Sequence, residues 1–126
     1  MSTVCRGIRG ATTAENTDES IHSATKELLE RIVAVNKVET DQIIAAFFTT
    51  TQDLNAAFPA TAARLGLGWT DVALLDSQAM DVPGSLAKCI RVLLLVNTEK
   101  SISDLKYVYL RGATHLRSRA VDETDD

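Results

Sequence analysis

The order of apolar and polar residues predicts one long amphipathic helix in the first third of the chain. Asn16 or Thr17 is expected to cap it, since Asp18 and Glu19 follow in its first turn and the Asn16–Glu19 spacing resembles a capping box. The opposite face is polar, so we expect the helix to cover a sheet. Apolar side chains recur at helical spacing at Ile21, Ala24, Leu28, Leu29, Ile32 and Val35.

Short apolar runs predict about five strands. They cover residues 4–8, 43–48, 72–75, 89–96 and 107–110. The Ala-rich stretch at residues 53–66 is interrupted by Pro59, which favours short helical turns over one helix. Pro83 and Gly84 indicate a turn. One long helix and about five strands predict an α+β or mixed-sheet fold.

Composition and charge narrow the class of protein. With 126 residues, 45% hydrophobic and 24% charged, the chain fits one globular domain. Its longest apolar run, residues 92–96, is too short to span a membrane, and we identify no signal peptide. A net charge of −4 without a basic, aromatic-rich patch argues against a nucleic-acid partner. We therefore expect a cytoplasmic protein without a membrane partner.

The cysteines and the tail complete this description. Cys5 and Cys89 both lie in apolar segments, so we expect reduced core thiols and not a disulfide. The last residues are strongly acidic. We therefore assign one domain to residues 1–118 and expect residues 119–126 to be a disordered tail.

Arginine offers the clearest chemistry, because motifs for nucleotide binding, nucleophilic catalysis and metal binding are missing from the sequence. Arg91 interrupts an apolar strand, where a guanidinium must be paired or solvated. Either a structural ion pair or an anionic ligand would satisfy it. The same ambiguity applies to Arg9, Arg64 and Arg117. Together these arginines suggest a site for a small anion with more than one carboxylate.

Four segments of the sequence resemble the AroH class of chorismate mutases. They are Arg-Gly-Ile-Arg-Gly-Ala-Thr-Thr at residues 6–13, Asp-Leu-Asn-Ala-Ala-Phe-Pro-Ala at residues 53–60, Met-Asp-Val-Pro-Gly-Ser-Leu-Ala-Lys-Cys-Ile-Arg-Val at residues 80–92, and Tyr-Val-Tyr-Leu at residues 107–110 with Leu-Arg at residues 116–117. Their order and spacing hold from about residue 4 to residue 118.

The resemblance implies both an architecture and a reaction. It implies a homotrimer in which each subunit has a mixed five-stranded sheet and one long helix, and the three sheets form a pseudo-α/β-barrel. An active site would lie in each of three clefts between subunits. It implies conversion of chorismate to prephenate, in phenylalanine and tyrosine biosynthesis, without metal or organic cofactor. This intramolecular [3,3]-sigmatropic rearrangement needs no nucleophile.

The resemblance also implies residue roles. Arg91 would lie beside the ether oxygen and a carboxylate, while Arg9 and Tyr109 bind the side-chain carboxylate from the same subunit. Gly10 and Gly84 would be needed for the backbone conformation and would have no chemical role. The neighbouring subunit would contribute Phe58, Ala60 and Arg64, and the cleft would be covered by Leu116 and Arg117. Further substrate-binding positions are Leu75, Ser77, Gln78 and Ala79.

The sequence departs from the family at three positions. Ala79 stands where the family usually has a glutamate that meets the substrate hydroxyl and orients the arginine equivalent to Arg91. Asp76 stands where it usually has a cysteine, and Thr61 where some members have a lysine. We therefore predict that Asp76 is ionised and orients Arg91, which requires a bend in residues 75–79. The alternative is a solvated loop aspartate.

Two other functions are compatible with these residues. One is a non-catalytic trimer that binds a carboxylate ligand and has lost activity through the change at Ala79. The other is a reactive-imine deaminase, which shares the general fold and an arginine that holds a carboxylate. The four segments favour chorismate mutase over both.

Overall fold

A computed structural model describes residues 2–116 of the chain. This part of the chain forms one five-stranded sheet, one long helix and several short helical turns. The named elements, in chain order, are β1 (Val4–Thr13), α1 (Asp18–Asn36), β2 (Ile43–Thr50), α2 (Pro59–Thr61), β3 (Ala73–Gln78), β4 (Cys89–Thr98) and β5 (Val108–Tyr109). A π-helical turn, Ala62–Gly66, follows α2, and 3₁₀ turns occupy Thr40–Gln42, Ile102–Asp104 and Arg111–Ala113.

The sheet is mixed, as predicted. Its strand order is β3-β2-β4-β1-β5. The central strand β4 pairs antiparallel with both β1 and β2, while the outer strands β3 and β5 pair parallel with β2 and β1. The longest strands therefore lie at the centre, and both edges are short.

Helix α1 covers one face of this sheet. Thr17 is its N-cap, and the Thr17 hydroxyl accepts a hydrogen bond from Ser20 N at 3.1 Å. The predicted capping box between Asn16 and Glu19 is wrong, because the Asn16 side chain instead contacts residues 55 and 56. The core between helix and sheet includes the buried residues Ile8, Leu28, Leu29, Ile32, Phe48, Val92, Leu94 and Val96.

Several strand bounds and one cysteine differ from the sequence prediction: β2, β3 and β4 end at Thr50, Gln78 and Thr98 instead of residues 48, 75 and 96. Strand β1 continues beyond residue 8 to Thr13, because the small residues Gly10 and Ala11 fit at fully packed positions. Cys5 is exposed, so its assignment to the core is wrong, whereas Cys89 is buried and both thiols are free. The acidic tail at residues 119–126 lies outside the described residues.

Gly10 lies where β1 packs tightly against α1, and this packing gives a stability prediction. A Cβ at residue 10 would lie 2.8 Å from Ile32 Cδ1 and 3.0 Å from the Val108 carbonyl oxygen. We expect Gly10→Ala to lower the free energy of unfolding by about 1–3 kcal/mol, because the strand must shift away from the helix. Urea denaturation measures this. Gly66→Ala is the control, since its Cβ would meet nothing closer than 3.5 Å; equal values for both variants would contradict the prediction.

Candidate active site

The face of the sheet that α1 leaves uncovered carries Arg91. In β4 the neighbouring residues Ile90 and Val92 are buried toward the helix, so Arg91 points to the other face. Arg91 is half-buried and pairs with Thr49 of β2 on one side and Ala11 of β1 on the other. The alternation predicted from the sequence is confirmed.

Arg9 and Tyr109 lie on the same face as Arg91. Arg9 pairs with Leu93, two residues from Arg91, and Tyr109 pairs with Ala11. Ala11 carries only a methyl group and packs against Tyr109, so no large side chain separates Tyr109 from Arg91 in this row. The result is a cavity of about 440 Å³ lined by Arg9, Gly10, Phe47, Thr49, Arg91, Val92, Leu93 and Tyr109.

The guanidinium groups of this cavity are not neutralised by the described residues. Within residues 2–116, no carboxylate forms an ion pair with Arg9 or Arg91. Burial raises the pKa of the adjacent Cys89 thiol, and the charge of Arg91 opposes that rise. The structural ion pair left open for Arg91 is therefore absent from this part of the chain. Two unneutralised guanidinium groups beside a tyrosine suit a ligand with carboxylates.

A second group of predicted residues lies where β2 and β3 end. Phe58 is 66% exposed and directly precedes α2, while Ser77 and Gln78 end β3. With Asp76 they line a cavity of about 370 Å³, together with Thr50, Leu54, Asn55, Ala56, Ala57 and Pro59. No residue lines both cavities. A single chain therefore does not place Phe58 in the Arg91 cavity.

Two further predicted residues lie on the uncovered face or near it. Leu75 is 56% exposed and pairs with Phe47, which lines the Arg91 cavity. Leu116 is half-buried and packs against the cluster that contains Tyr109 and Cys89. Arg117 lies outside the described residues.

The remaining predicted residues lie around α2 and after β3. Ala60 is buried, and Arg64 is exposed on the turn Ala62–Gly66, which packs against α1 on the covered side of the sheet. Ala79 directly follows β3, and its backbone N donates a hydrogen bond to the Thr50 carbonyl at 2.9 Å. Neither Ala60 nor Arg64 lines the Arg91 cavity.

Asp76 points away from Arg91. It pairs with Phe48, which is buried toward the helix, and β3 runs regularly through this position without the required bend. The Asp76 Oδ1 atom accepts a hydrogen bond from Ala60 N at 3.0 Å. Burial raises the pKa of the Asp76 carboxyl, and the hydrogen bond from Ala60 partly offsets the rise. The prediction that Asp76 orients Arg91 within the chain is wrong, and so is the alternative of a solvated loop aspartate.

Comparison with known proteins identifies the family. The family model described as chorismate mutase type I matches residues 5–120. The chain belongs to this family. A chorismate mutase AroH from Thermus thermophilus is 47% identical over 114 residues, which cover 89% of this chain and 93% of the relative. Another from Bacillus subtilis is 43% identical over 113 residues, 89% of each chain.

A solved chorismate mutase has the same fold. The protein from Clostridium thermocellum matches with a TM-score of 0.84 and 52% identity, over 86% of this chain and 96% of that one. The family assignment and these relatives do not favour the deaminase or the non-catalytic binding protein. Among residues 2–116, no group of three His, Cys, Asp or Glu side chains is arranged to hold a metal ion. No helix in this range has both the length and the apolar character needed to cross a membrane.

The chorismate mutase fold also brings residues to the two cavities that the sequence prediction missed. Phe47 and Thr49 line the Arg91 cavity from β2, and Asn55 lines the second one. The alternation of β2 identifies Phe47 and Thr49 as one face, but only the pairing with β4 places that face beside Arg91. A larger cavity of about 680 Å³ lies between α1 and residues 61–66, is lined by charged, polar and apolar side chains, and contains none of the predicted site residues.

Proposed function

We propose that the protein converts chorismate to prephenate by an intramolecular [3,3]-sigmatropic rearrangement, which it accelerates by electrostatic and conformational stabilisation without metal or organic cofactor, in phenylalanine and tyrosine biosynthesis. The observation that carries this proposal is the cavity of Arg9, Arg91 and Tyr109, in a chain of the type I chorismate mutase family. Its volume of about 440 Å³ suits a small molecule. Two guanidinium groups match a substrate with two carboxylates.

The reaction can be catalysed by the charge and shape of the cavity alone. The ether C–O bond of chorismate breaks while a new C–C bond forms in the same molecule, so no nucleophile or proton transfer is required. The enzyme must hold the flexible dianion in its compact diaxial conformer and supply positive charge where the ether oxygen becomes negative. Arg91 supplies that charge, from a strand at the centre of the sheet that keeps its position fixed.

The other residues of the cavity hold the substrate. Arg9 and Tyr109 bind the side-chain carboxylate, and the apolar side chains of Phe47 and Leu93 exclude water from the rearranging bonds. Thr49 pairs with Arg91 across the sheet and lines the same cavity, and Ala79 stands where the resemblance implies a glutamate. The positive charge of Arg91 is therefore not reduced by a carboxylate at that position.

We further propose that the active unit is a homotrimer with its sites between subunits. The uncovered face leaves large apolar side chains exposed, with Phe47 and Leu93 at 40% and Leu75 at 56%, and a second copy of the chain would bury them. The three sheets would form the pseudo-α/β-barrel core. A neighbouring subunit would then complete the cavity with Phe58, Ala60 and Arg64, and the remaining contacts would come from Leu75, Ser77, Gln78, Ala79, Leu116 and Arg117.

The positions of Arg91 and Arg64 within one chain support this division of the site. Arg91 lies on the uncovered face, whereas Arg64 lies on a turn that packs against α1 on the covered side. A site that needs both must take them from two chains. The partners are then chorismate, prephenate and two further copies of the chain, and the free thiols Cys5 and Cys89 are consistent with the cytoplasm.

The function is tested by following the loss of chorismate absorbance with purified protein. We expect saturable turnover with prephenate as the product, proportional to the amount of enzyme and insensitive to a chelator. Saturable binding of prephenate without turnover would favour the non-catalytic binding protein and contradict the proposal. Hydrolysis of a reactive imine without turnover of chorismate would favour the deaminase.

A further inference from the structure

Phe58 is an exposed aromatic side chain on a segment that is held at several points. Phe58 is 66% exposed, although Leu54 and Pro59 in the same segment are buried. The exposed ring therefore does not result from a loosely held segment. An aromatic ring on a fixed segment can contact a ligand or a partner with little loss of conformational freedom.

Asn16 holds the segment before Phe58. The Asn16 Oδ1 atom accepts hydrogen bonds from Asn55 N at 2.8 Å and Ala56 N at 3.0 Å. Its Nδ2 atom donates to Asn55 Oδ1 at 2.9 Å. These three bonds join two loops that are 39 residues apart in the sequence. One side chain thus satisfies two backbone donors two and three residues before the ring.

Asp76 holds the segment after Phe58. Its carboxylate accepts the hydrogen bond from Ala60 N, two residues beyond the ring, at 3.0 Å. Phe58 and Asp76 line the same cavity. Asp76 is half-buried. If its carboxylate were removed, Ala60 N would lose its hydrogen-bond acceptor at a position that is only partly open to water.

We propose that Asp76 is a positioning residue for the active site. Asp76 fixes the backbone after Phe58, and Asn16 fixes the backbone before it. The Phe58 ring is thereby held where it packs on the substrate bound by the neighbouring subunit. This inference rests on the proposed function. Asp76 acts through the backbone of Ala60 and requires an acceptor oxygen, not a negative charge. This requirement distinguishes the positioning role from a direct interaction of Asp76 with Arg91 or with the substrate. Either direct interaction would depend on the negative charge of Asp76.

Three variants test this distinction. Asp76→Ala removes the acceptor and leaves Ala60 N unpaired, and we expect kcat/KM to fall about tenfold, within the range for a buried donor left without a partner. Asp76→Asn keeps an acceptor oxygen in place and is expected to stay within about threefold of the original enzyme. Asp71→Ala is the matched control, because Asp71 is an exposed carboxylate just before β3 with no hydrogen bond or ion pair among the described residues.

A double-mutant cycle with Phe58→Ala shows whether Asp76 acts through the ring. In the Phe58→Ala background, Asp76→Ala should cost less than about threefold, because the group it positions is already gone. A general loss of folding would instead lower activity equally in both backgrounds. Equal losses in both backgrounds, an Asp76→Asn variant as impaired as Asp76→Ala, or a fully active Asp76→Ala would each overturn the inference.

Amide hydrogen exchange supplies a readout that does not depend on turnover. We expect faster exchange at Ala60 in Asp76→Ala and unchanged exchange in Asp76→Asn and Asp71→Ala. Unchanged exchange in Asp76→Ala would overturn the inference. If the original enzyme does not convert chorismate, the proposed function fails while the exchange experiment still decides whether Asp76 holds this segment.

Discussion

Arg91→Ala is expected to lower kcat and kcat/KM together by at least 10²–10³-fold, about 2.7–4 kcal/mol of transition-state stabilisation. The reason is that positive charge near the ether oxygen matters only as the bond breaks, so its loss affects the chemical step more than binding. Within residues 2–116 no carboxylate neutralises this guanidinium. Steady-state kinetics with chorismate give both constants.

Two further variants show whether the loss of activity in Arg91→Ala comes from the guanidinium group itself. Arg91→Lys keeps the charge but not the planar fork, and we expect it to remain severely impaired. Arg31→Ala removes an exposed arginine on the outer face of α1 and should leave the kinetics unchanged. A folded Arg91→Ala enzyme with nearly normal kcat would show that this arginine has only a structural role.

Mixing two inactive variants is expected to restore activity if the sites lie between subunits. Arg91→Ala chains retain Arg64, and Arg64→Ala chains retain Arg91. In randomly reassorted trimers about one quarter of the clefts would combine an intact Arg91 with an intact neighbouring Arg64. We expect the mixture to reach roughly that share of normal activity, well above either parent, each of which should lie below about one tenth.

The mixture needs evidence that subunits exchange. Native mass spectrometry of the two variants, one isotopically labelled, detects mixed trimers directly. Arg91→Ala mixed with labelled Arg91→Ala is the control and should gain nothing. Mixed trimers without recovered activity would contradict the assignment of Arg64 to the neighbouring subunit, because a site built within one chain always lacks one of the two arginines.

Local patterns in the sequence predicted much of this molecule. The helical spacing of Ile21, Leu28 and Ile32 predicted α1, and the alternation of residues around Arg91 predicted which face of the sheet Arg91 occupies. Both depend on neighbours within a few residues, which a single sequence displays. The roles of Arg9 and Tyr109 depended on the resemblance, and their common cavity with Arg91 agrees with it.

The errors share one physical origin, which is contact between distant parts of the chain. Asn16 is a residue type that often caps helices, yet its side chain forms a hydrogen bond with Asn55. Asp76 is close in sequence to Ala79, but its pairing with Phe48 decides which face it occupies. Cys5 has apolar neighbours but lies at an exposed position on β1. Strand pairing and loop contacts of this kind have no signature in the local pattern.

The pairing of β1 with β4 and β5 also affects how the protein is made. Arg9 leaves the ribosome early, whereas its partners in the cavity belong to strands that end at residues 98 and 109. At typical rates of synthesis, roughly 5–20 seconds separate Arg9 from Tyr109. Until β4 is complete at Thr98, β1 has no neighbouring strand to pair with, and unpaired strand edges are prone to aggregation. Gly7 and Gly10 reduce its tendency to pair with other strands, so the small residues that allow close packing in the finished fold also protect the chain before it folds.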